Sequence, residues 1–169
     1  MAKERIRIGL MGLGVVGSGV ARILMEKADR IQAQIESTVE LARVLVRDPG
    51  KKRAVDVPRR LLTTRRQDIL DDPTIDIVIE VMGGENPAHE CIQEAILSGK
   101  HVITANKEVM AKFGPELLTL ANQHGVDILY EASVGGGIPL IGPFQQDLAA
   151  NKITSIQAII NGTTNYILT

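Results

Sequence analysis

Six residues near the amino terminus, GLGVVG at positions 12–17, have the spacing of a dinucleotide-binding phosphate loop. Gly12 permits a tight turn, Gly14 lets the main chain approach a pyrophosphate, and Gly17 lets the next helix pack closely on the preceding strand. The free N–H groups at the start of that helix would hold the phosphates. Glycine-rich turns also occur for purely structural reasons, but this one lies between a predicted strand and a predicted helix. We therefore predict dinucleotide binding.

The residue that follows the second predicted strand indicates which dinucleotide is preferred. NAD-specific sites place a carboxylate there, whereas this sequence reads VLVRDPGKKR, with Arg47 first and Asp48 second. An arginine suits a 2′-phosphate, and the basic residues after it would add to the positive field: Lys51, Lys52 and Arg53. A solvated basic loop without a ligand is the alternative. The sequence favours NADP over NAD.

Lys107, in the segment ITANKEVMA, is the residue best placed for acid–base chemistry. It is predicted to lie between the carboxyl end of a strand and the first turn of a helix, where the helix dipole disfavours a cation. If this position is also shielded from water, the lysine loses its proton more easily and can take part in proton transfer. An exposed lysine beside Glu108, screened by water, is the alternative. We assign the catalytic role to Lys107.

Two further glycine-rich segments follow predicted strands. Met82, Gly83 and Gly84 come after the fourth strand, and they are expected to line a ligand cleft because ligands bind at the carboxyl ends of parallel strands. In YEASVGGGIPLIG, residues 130–142, Glu131 is followed shortly by three consecutive glycines. Such a triplet costs backbone entropy and packs no side chain, so it marks a place where the main chain itself contacts something.

The elements that must position these residues alternate between strand and helix. Apolar runs predict strands at 5–11, 40–46, 75–81, 101–105 and 127–131, with a short one near 61–64. One helix follows the phosphate loop, with an apolar face made of Val16, Val20, Ile23 and Leu24. A second runs from Asn86 as N-cap and Pro87 as first residue to Gly99, and a third from about Glu108 to Gln123. This alternation predicts an α/β fold, a doubly wound parallel sheet of the Rossmann type.

The pattern changes after Glu131. Pro139 is predicted to open a helix that extends to about Ala150, KITSIQAII has the character of a strand, and NGTTNYILT looks like the start of a helix. A domain rarely stops on uncovered apolar residues. We therefore expect a cofactor domain at 1–131, followed at 132–169 by only the first elements of a second, α+β domain.

Composition narrows the class of protein. The chain has 169 residues, 44% of them hydrophobic but only 2% aromatic, which predicts an aliphatic core. A net charge of −1 argues against a nucleic-acid partner. The single cysteine, Cys91, excludes an intramolecular disulfide and suits a reducing cytosol. No run approaches the roughly 18 apolar residues of a membrane span. We expect a soluble cytoplasmic protein.

Taken in order, six segments resemble the motifs of the homoserine dehydrogenase family: GLGVVG, VLVRD, EVMGG, HVITANKEVMA, YEASVGGGIPLI and INGTTNYIL. The resemblance implies a Rossmann-type domain, then a catalytic domain that also forms a homodimer. It implies NAD(P)-dependent interconversion of L-homoserine and L-aspartate 4-semialdehyde, on the route to threonine, methionine and isoleucine. It places a second catalytic lysine and the acidic substrate ligands beyond Thr169, so this segment alone should be inactive.

The resemblance also implies a set of site residues. Cofactor contacts are expected from Gly12, Leu13, Gly14, Val15, Val16, Gly17, Arg47, Met82, Gly83, Gly84, Thr104, Ala105 and Lys107. Substrate contacts are assigned to Gly162 and Thr163. A monovalent cation, Na⁺ or K⁺, is expected at Glu131, Val134, Gly136 and Ile138, where glycines let main-chain carbonyls turn toward a hard ion that prefers oxygen.

Two other functions fit part of the pattern. The same fold could serve a non-catalytic domain that senses dinucleotides, or another NAD(P)-dependent reductase of amino-acid biosynthesis. Lys107 and the glycine segment after Glu131 favour an enzyme over a sensor, because a sensor does not need a proton-transfer group. The segment INGTTNYIL argues against the other reductase.

Overall fold

The computed structural model describes residues 3–159. Their centre is a sheet of six parallel strands: β1 (Arg5–Met11), β2 (Thr38–Leu45), β3 (Leu62–Thr63), β4 (Ile77–Glu80), β5 (His101–Thr104) and β6 (Ile128–Leu129). The strand order is β3-β2-β1-β4-β5-β6, so the chain turns back at β1 and continues outward from β4. The carboxyl ends of β1 and β4 therefore lie side by side at the switch in direction, where ligands bind in such sheets.

Helices cover both faces of this sheet. They are α1 (Val15–Glu26), α2 (Ala28–Ile35), α3 (Gln67–Leu70), α4 (Ala88–Leu97), α5 (Lys107–His124) and α6 (Ile141–Gln145), with 3-10 turns at Arg59–Leu61 and Glu131–Ser133. Helices α1 and α2 contact β2, whereas α4 packs on β4, β5 and α5. The prediction of a doubly wound, Rossmann-type α/β fold is confirmed.

The core is divided by the sheet into two aliphatic clusters. Because successive side chains of a strand point to opposite faces, Val78 of β4 lies in the cluster under α4 and α5, while its neighbour Ile79 lies in the cluster under α1. Cys91 is fully buried within α4, as a core residue. The two clusters hold α1 and α5 on opposite faces of the sheet. The start of each helix therefore lies at the carboxyl edge of the sheet.

The predicted apolar face of α1 is only partly correct. Val20 and Leu24 pack against the core, but Val16 and Ile23 are 55% and 50% exposed. The residues of α1 that are buried are small ones, Gly17, Ser18 and Ala21. The helix therefore approaches the sheet more closely than a face of large side chains would allow.

The second predicted helix begins later than its sequence signals indicate. Pro87, not Asn86, occupies the N-cap position of α4, and the helix makes no side-chain capping hydrogen bond. Helix α5 is close to its prediction, since it ends at Gly125 in the left-handed conformation that glycine adopts without strain. Helices α2 and α3 are not predicted at all.

The region after Glu131 departs most from expectation. The helix predicted from Pro139 to Ala150 is reduced to α6 at Ile141–Gln145. Residues 152–159, expected to form a strand, have no regular structure and are exposed. A strand requires a neighbour for its hydrogen bonds, and the described residues of the sheet supply none to this segment.

Within residues 3–159, no helix has the length and apolar character needed to cross a membrane.

Candidate functional site

The glycines of the phosphate loop have the conformations that its spacing predicts. Gly12 has φ +104, and a Cβ there would lie 2.9 Å from the carbonyl oxygen of Val81. A Cβ on Gly17 would lie 2.1 Å from the carbonyl oxygen of Gly12. These contacts leave no room for a side chain at either position. By contrast, a Cβ on Gly14 would have no neighbour within 4 Å, so the main chain at Gly14 is open to a ligand.

The start of α1 offers free hydrogen-bond donors. Gly14 is its N-cap, no side chain caps it, and no acidic residue lies in its first turn. The hydrogen bond from Ser18 N to Gly14 O, at 2.9 Å, is the first of the helical pattern. The preceding N–H groups of Val15, Val16 and Gly17 therefore have no partner inside the helix, which is the arrangement that binds phosphate.

A cleft of about 660 Å³ extends from this loop across the carboxyl ends of the first four strands. Its walls are formed by residues 12–14, 45–48, 64–67 and 81–82, together with Lys51, Arg53, Pro87 and Cys91. Five of the predicted cofactor residues line it: Gly12, Leu13, Gly14, Arg47 and Met82. The cleft therefore has the size and location expected for part of a dinucleotide.

Five basic side chains surround this cleft, and three of them already have partners. Arg53 donates to the carbonyl oxygens of Lys51 and Asp48, Arg65 lies 3.8 Å from Asp68, and Arg66 pairs with Glu90 and Glu94 at 2.9 and 2.7 Å. The hydrogen bond to Glu90 raises the pKa of Arg66 above its ordinary value.

The two remaining basic residues, Arg47 and Lys51, are exposed. Within the described part of the chain, neither side chain makes a hydrogen bond or an ion pair. Both can therefore turn to an anionic ligand. Arg65 and Arg66 were not predicted to belong to the site, although the sequence signal exists as TTRRQD directly after a short strand.

Val15, Val16 and Gly17 form the first turn of α1, beside the phosphate loop. The other predicted cofactor residues lie farther along the same edge of the sheet. The strands lie in the order β1, β4, β5. The phosphate loop follows β1, the segment 82–84 follows β4, and Ala105 and Lys107 follow β5, so these segments lie in that order along the edge. Gly83 and Gly84 both have left-handed conformations, with φ +74 and +73. The side chain of Thr104 is fully buried, so its hydroxyl does not face this edge.

Lys107 is the first residue of α5, as its position in the sequence predicts. Asn106 is the N-cap and accepts a hydrogen bond from Val109 N at 3.2 Å. The side chain of Lys107 is exposed, and no hydrogen bond or ion pair to it is found among residues 3–159. Lys107 lies at the positive end of α5, as predicted. The further condition for its role in proton transfer, shielding from water, is not met by the described part of the chain.

A buried carboxyl group beneath this edge was not predicted. Glu80, the last residue of β4, is 0% exposed. Its Oε1 accepts a hydrogen bond from Met82 N at 2.7 Å, and its Oε2 accepts one from Thr104 Oγ1 at 2.8 Å. The sequence shows only a glutamate at the end of an apolar run. Its burial depends on the strand register, which places Glu80 opposite Thr104.

The glycine segment after Glu131 forms a compact turn. Gly135 and Gly136 have φ +70 and +63, and Ile138 N donates to Gly135 O at 3.2 Å. The carbonyl groups of three predicted cation ligands, Val134, Gly136 and Ile138, accept no hydrogen bond from any described residue. They are therefore free to turn toward an ion. No group of three or more His, Cys, Asp and Glu side chains in residues 3–159 could hold a metal, so main-chain oxygen would have to supply most ligands.

The carboxylate of Glu131 is already engaged. Oε1 accepts from Leu140 N at 2.5 Å and Ile141 N at 3.0 Å, and Oε2 accepts from Gly142 N at 2.7 Å. These bonds, with that from Leu140 the strongest contribution, hold the pKa of Glu131 below its ordinary value. The side chain therefore fixes the start of α6. The two predicted substrate residues, Gly162 and Thr163, lie outside the described residues.

Comparison with known proteins gives one consistent family. Residues 12–131 match the model described as "Homoserine dehydrogenase, NAD binding domain", and residues 139–169 match "Homoserine dehydrogenase". The homoserine dehydrogenase of Bacillus subtilis is 48% identical over 166 residues, covering 98% of this chain and 38% of the relative. That of Synechocystis is 50% identical over 163 residues, covering 96% of this chain and 37% of the relative.

Solved structures agree with the sequence comparison. The homoserine dehydrogenase of Thiobacillus denitrificans superposes with a TM-score of 0.84 at 41% identity, covering 97% of this chain and 38% of that one. The Staphylococcus aureus enzyme at pH 7.5 gives a TM-score of 0.73 at 41% identity, covering 77% of this chain and 34% of that one. This chain spans a little over a third of the length of these relatives.

Proposed function

This chain belongs to the homoserine dehydrogenase family, and we propose that it forms the cofactor-binding part of an enzyme that interconverts L-homoserine and L-aspartate 4-semialdehyde. The observation that supports this most strongly is the phosphate loop, whose Gly14 is open to a ligand below the uncapped start of α1. The loop leads into a cleft with two unpaired basic side chains, and Lys107 follows along the same edge. The resemblance supports a homodimeric, cytoplasmic enzyme of amino-acid biosynthesis.

In this proposal the dinucleotide supplies the acceptor for a hydride from the alcohol carbon of homoserine. The N–H groups of Val15, Val16 and Gly17 bind the pyrophosphate, and Arg47 binds the adenosine end. The segment 82–84 supports the nicotinamide end. Lys107 takes the hydroxyl proton during oxidation and returns it during reduction.

The test is oxidation of L-homoserine by the full-length protein that contains this chain. The reaction is measured as the formation of reduced dinucleotide. L-2-aminobutyrate, which has the same carbon chain without the hydroxyl, is the matched control and should give no reaction. A protein that binds the dinucleotide but does not oxidise homoserine would contradict the proposed function.

We further propose that NADP is preferred to NAD because Arg47 binds its 2′-phosphate. Replacing Arg47 with alanine should weaken NADP binding by roughly 10- to 100-fold, since a hydrogen bond to a charged group contributes roughly 1.5–3 kcal/mol. Binding of NAD should change less than about twofold. The measurement is titration of both dinucleotides against the wild type and the variant.

The matched control for this prediction is Arg30→Ala, which removes the same charge from an exposed position of α2 outside the cleft. It should leave the ratio of the two affinities unchanged. Equal affinity of the wild type for NADP and NAD, or an equal loss of both in the Arg47 variant, would contradict the assignment.

We also propose a site for Na⁺ or K⁺ at the main-chain oxygens of Val134, Gly136 and Ile138, with Glu131 contributing its main-chain oxygen. What supports this is the free state of those three carbonyl groups and the left-handed glycines between them. Because the Glu131 carboxylate holds three N–H groups, its part in the site is to fix the turn that presents the carbonyls.

The pKa of Glu131 predicts how this turn responds to pH. Since its folded-state pKa is lowered, its stabilising contribution is present above the ordinary glutamate pKa, about 4.3, and is lost as the pH falls through the lowered value. Hydrogen exchange at Leu140, Ile141 and Gly142 should lose protection over that range, after correction for intrinsic rates.

Replacing Glu131 with glutamine should reduce this protection at neutral pH, because the amide keeps one acceptor oxygen but its NH₂ group cannot accept from a main-chain N–H. It should also weaken Na⁺ binding. Glu116→Gln, at an exposed position of α5, is the matched control and should change neither property. Retention of both protection and Na⁺ affinity in the Glu131 variant would show that the carboxylate does not organise the turn.

A further inference from the structure

Glu80 connects two segments that are separate in the sequence. One carboxyl oxygen holds Met82 N and the other holds Thr104 Oγ1, and the residue has no exposed surface. Burying a carboxyl group is costly unless its oxygens are paired. Both oxygens of Glu80 are paired, so its burial is stable only while Met82 N and Thr104 Oγ1 keep their positions.

The connection continues to the start of α5. Thr104 Oγ1 accepts a hydrogen bond from Asn106 N at 3.0 Å, and Asn106 Nδ2 donates to Gly84 O at 2.6 Å. Asn106 Oδ1 also caps α5 by accepting from Val109 N. The hydrogen bonds form a closed circuit from Glu80 through Thr104 and Asn106 to the segment 82–84 and back to Glu80. Lys107 follows Asn106 directly.

We propose that Glu80 is a positioning residue for the reaction, holding the segment 82–84 and the first turn of α5 in one fixed arrangement. This inference rests on the proposed function, in which the segment supports the nicotinamide and Lys107 moves the proton. A fully paired buried network specifies one geometry. A misplacement of about 1 Å between reacting groups can lower a rate by about 100-fold.

Glu80→Gln tests the proposal with little change in volume. The glutamine oxygen can still accept from Met82 N, but its NH₂ group then faces Thr104 Oγ1 and gives the threonine hydroxyl proton no acceptor. The network is weakened at one bond while the core stays filled. Thr104→Val removes the same hydrogen bond by replacing its donor. This variant tests the positioning role if the Glu80 variant does not fold.

The matched control is Lys100→Met at the opposite end of the sheet. Lys100 is also buried, and its Nζ donates to the carbonyl oxygens of Asp72 and Ile75 at 2.6 and 3.1 Å. Its replacement removes buried hydrogen bonds without touching the carboxyl edge. It should lower the melting temperature and leave turnover unchanged, which separates loss of stability from loss of positioning.

In the full-length protein, Glu80→Gln should lower kcat by about 10- to 100-fold while KM for homoserine changes less than about threefold. Hydrogen exchange should become faster both at 82–84 and at 104–109. Unchanged kcat, or faster exchange at only one of the two segments, overturns the proposal. So does an equal loss of kcat in Lys100→Met, because the effect would then be one of general stability.

Failure of the proposed function would look different. A wild-type protein that binds the dinucleotide but does not oxidise homoserine contradicts that function, and the network is then tested by binding. Faster exchange at both segments with weaker dinucleotide binding in Glu80→Gln still supports positioning. Unchanged exchange and unchanged affinity overturn it.

Discussion

Replacing Lys107 with alanine is expected to lower the turnover of the full-length enzyme by at least about 100-fold while the fold remains intact. Oxidation of an alcohol releases a hydroxyl proton that a nearby group must accept, and a positioned acid–base group is worth roughly 100- to 10,000-fold in rate. Lys107 is exposed at the first position of α5, and its removal breaks no hydrogen bond or ion pair among the described residues. The measurement is kcat for homoserine oxidation, with the melting temperature as a check on folding.

Lys112→Ala is the matched control for this variant. Lys112 lies on the same helix, is exposed, and pairs with Glu85. An exposed ion pair contributes roughly 0–1 kcal/mol, so this variant should retain turnover within about twofold. A Lys107 variant with near-normal turnover would remove this residue from the mechanism. An equal loss in both variants would point to the charge of α5 and not to proton transfer.

The sheet could be predicted from the sequence because its signals are local. Strands β1, β2 and β4 are mostly apolar, and β4 is apolar except for Glu80, as a strand covered on both faces requires. Helix α5 is also ended by a local signal, Gly125 in a left-handed conformation. The strand from Arg5 to Met11 was predicted to the residue. Helix α2 was missed because half of the residues in ADRIQAQI are polar and no side chain caps its start.

The segment after Glu131 could not be predicted for a different reason. The alternation in KITSIQAII resembles a strand, but a strand forms only where a neighbour supplies hydrogen bonds, and residues 152–159 have none. Similarly, the helix expected from Pro139 to Ala150 is reduced to α6, whose start Glu131 holds through three N–H groups. Tertiary partners, not local propensity, determine structure here.

The same distinction, between local sequence signals and tertiary contacts, applies to the candidate site. The turn at Gly12 and the close packing at Gly17 are visible in the sequence because glycine alone permits them, although the binding that they imply stays a prediction. The role of Glu80 is not visible, since it depends on the register that pairs β4 with β5. Arg65 lines the cleft because β3 ends beside β2. The basic pair in TTRRQD is visible in the sequence, but this pairing of strands is not.

Gly14 and Gly17 of the phosphate loop should respond differently to replacement by alanine. Replacing Gly17 with alanine places a methyl group about 2.1 Å from the carbonyl oxygen of Gly12, which is main chain and cannot rotate away. Helix α1 must then move off the sheet. We expect the free energy of unfolding to fall by at least the upper end of the roughly 1–3 kcal/mol typical of overpacking. Dinucleotide binding should be lost as well.

Gly14→Ala is the counterpart that separates folding from binding. Gly14 has φ −80 and ψ −153, an extended conformation outside the left-handed region that favours glycine, and its Cβ would meet no atom within 4 Å. The free energy of unfolding of the Gly14→Ala variant should therefore stay within about 0.5 kcal/mol of the wild-type value. The added methyl group occupies the space through which a pyrophosphate approaches the main chain, so affinity for the dinucleotide should fall at least about tenfold, ~1.4 kcal/mol.

Chemical denaturation and dinucleotide titration of both variants would distinguish a binding loop from a structural turn. A binding loop requires that Gly14→Ala lose affinity at unchanged stability, because nothing in the described protein fills the space above Gly14. A purely structural turn would lose stability at Gly17 and nothing at Gly14. Unchanged affinity in a folded Gly14→Ala variant would therefore contradict the placement of the pyrophosphate at the start of α1, whatever the Gly17 variant does.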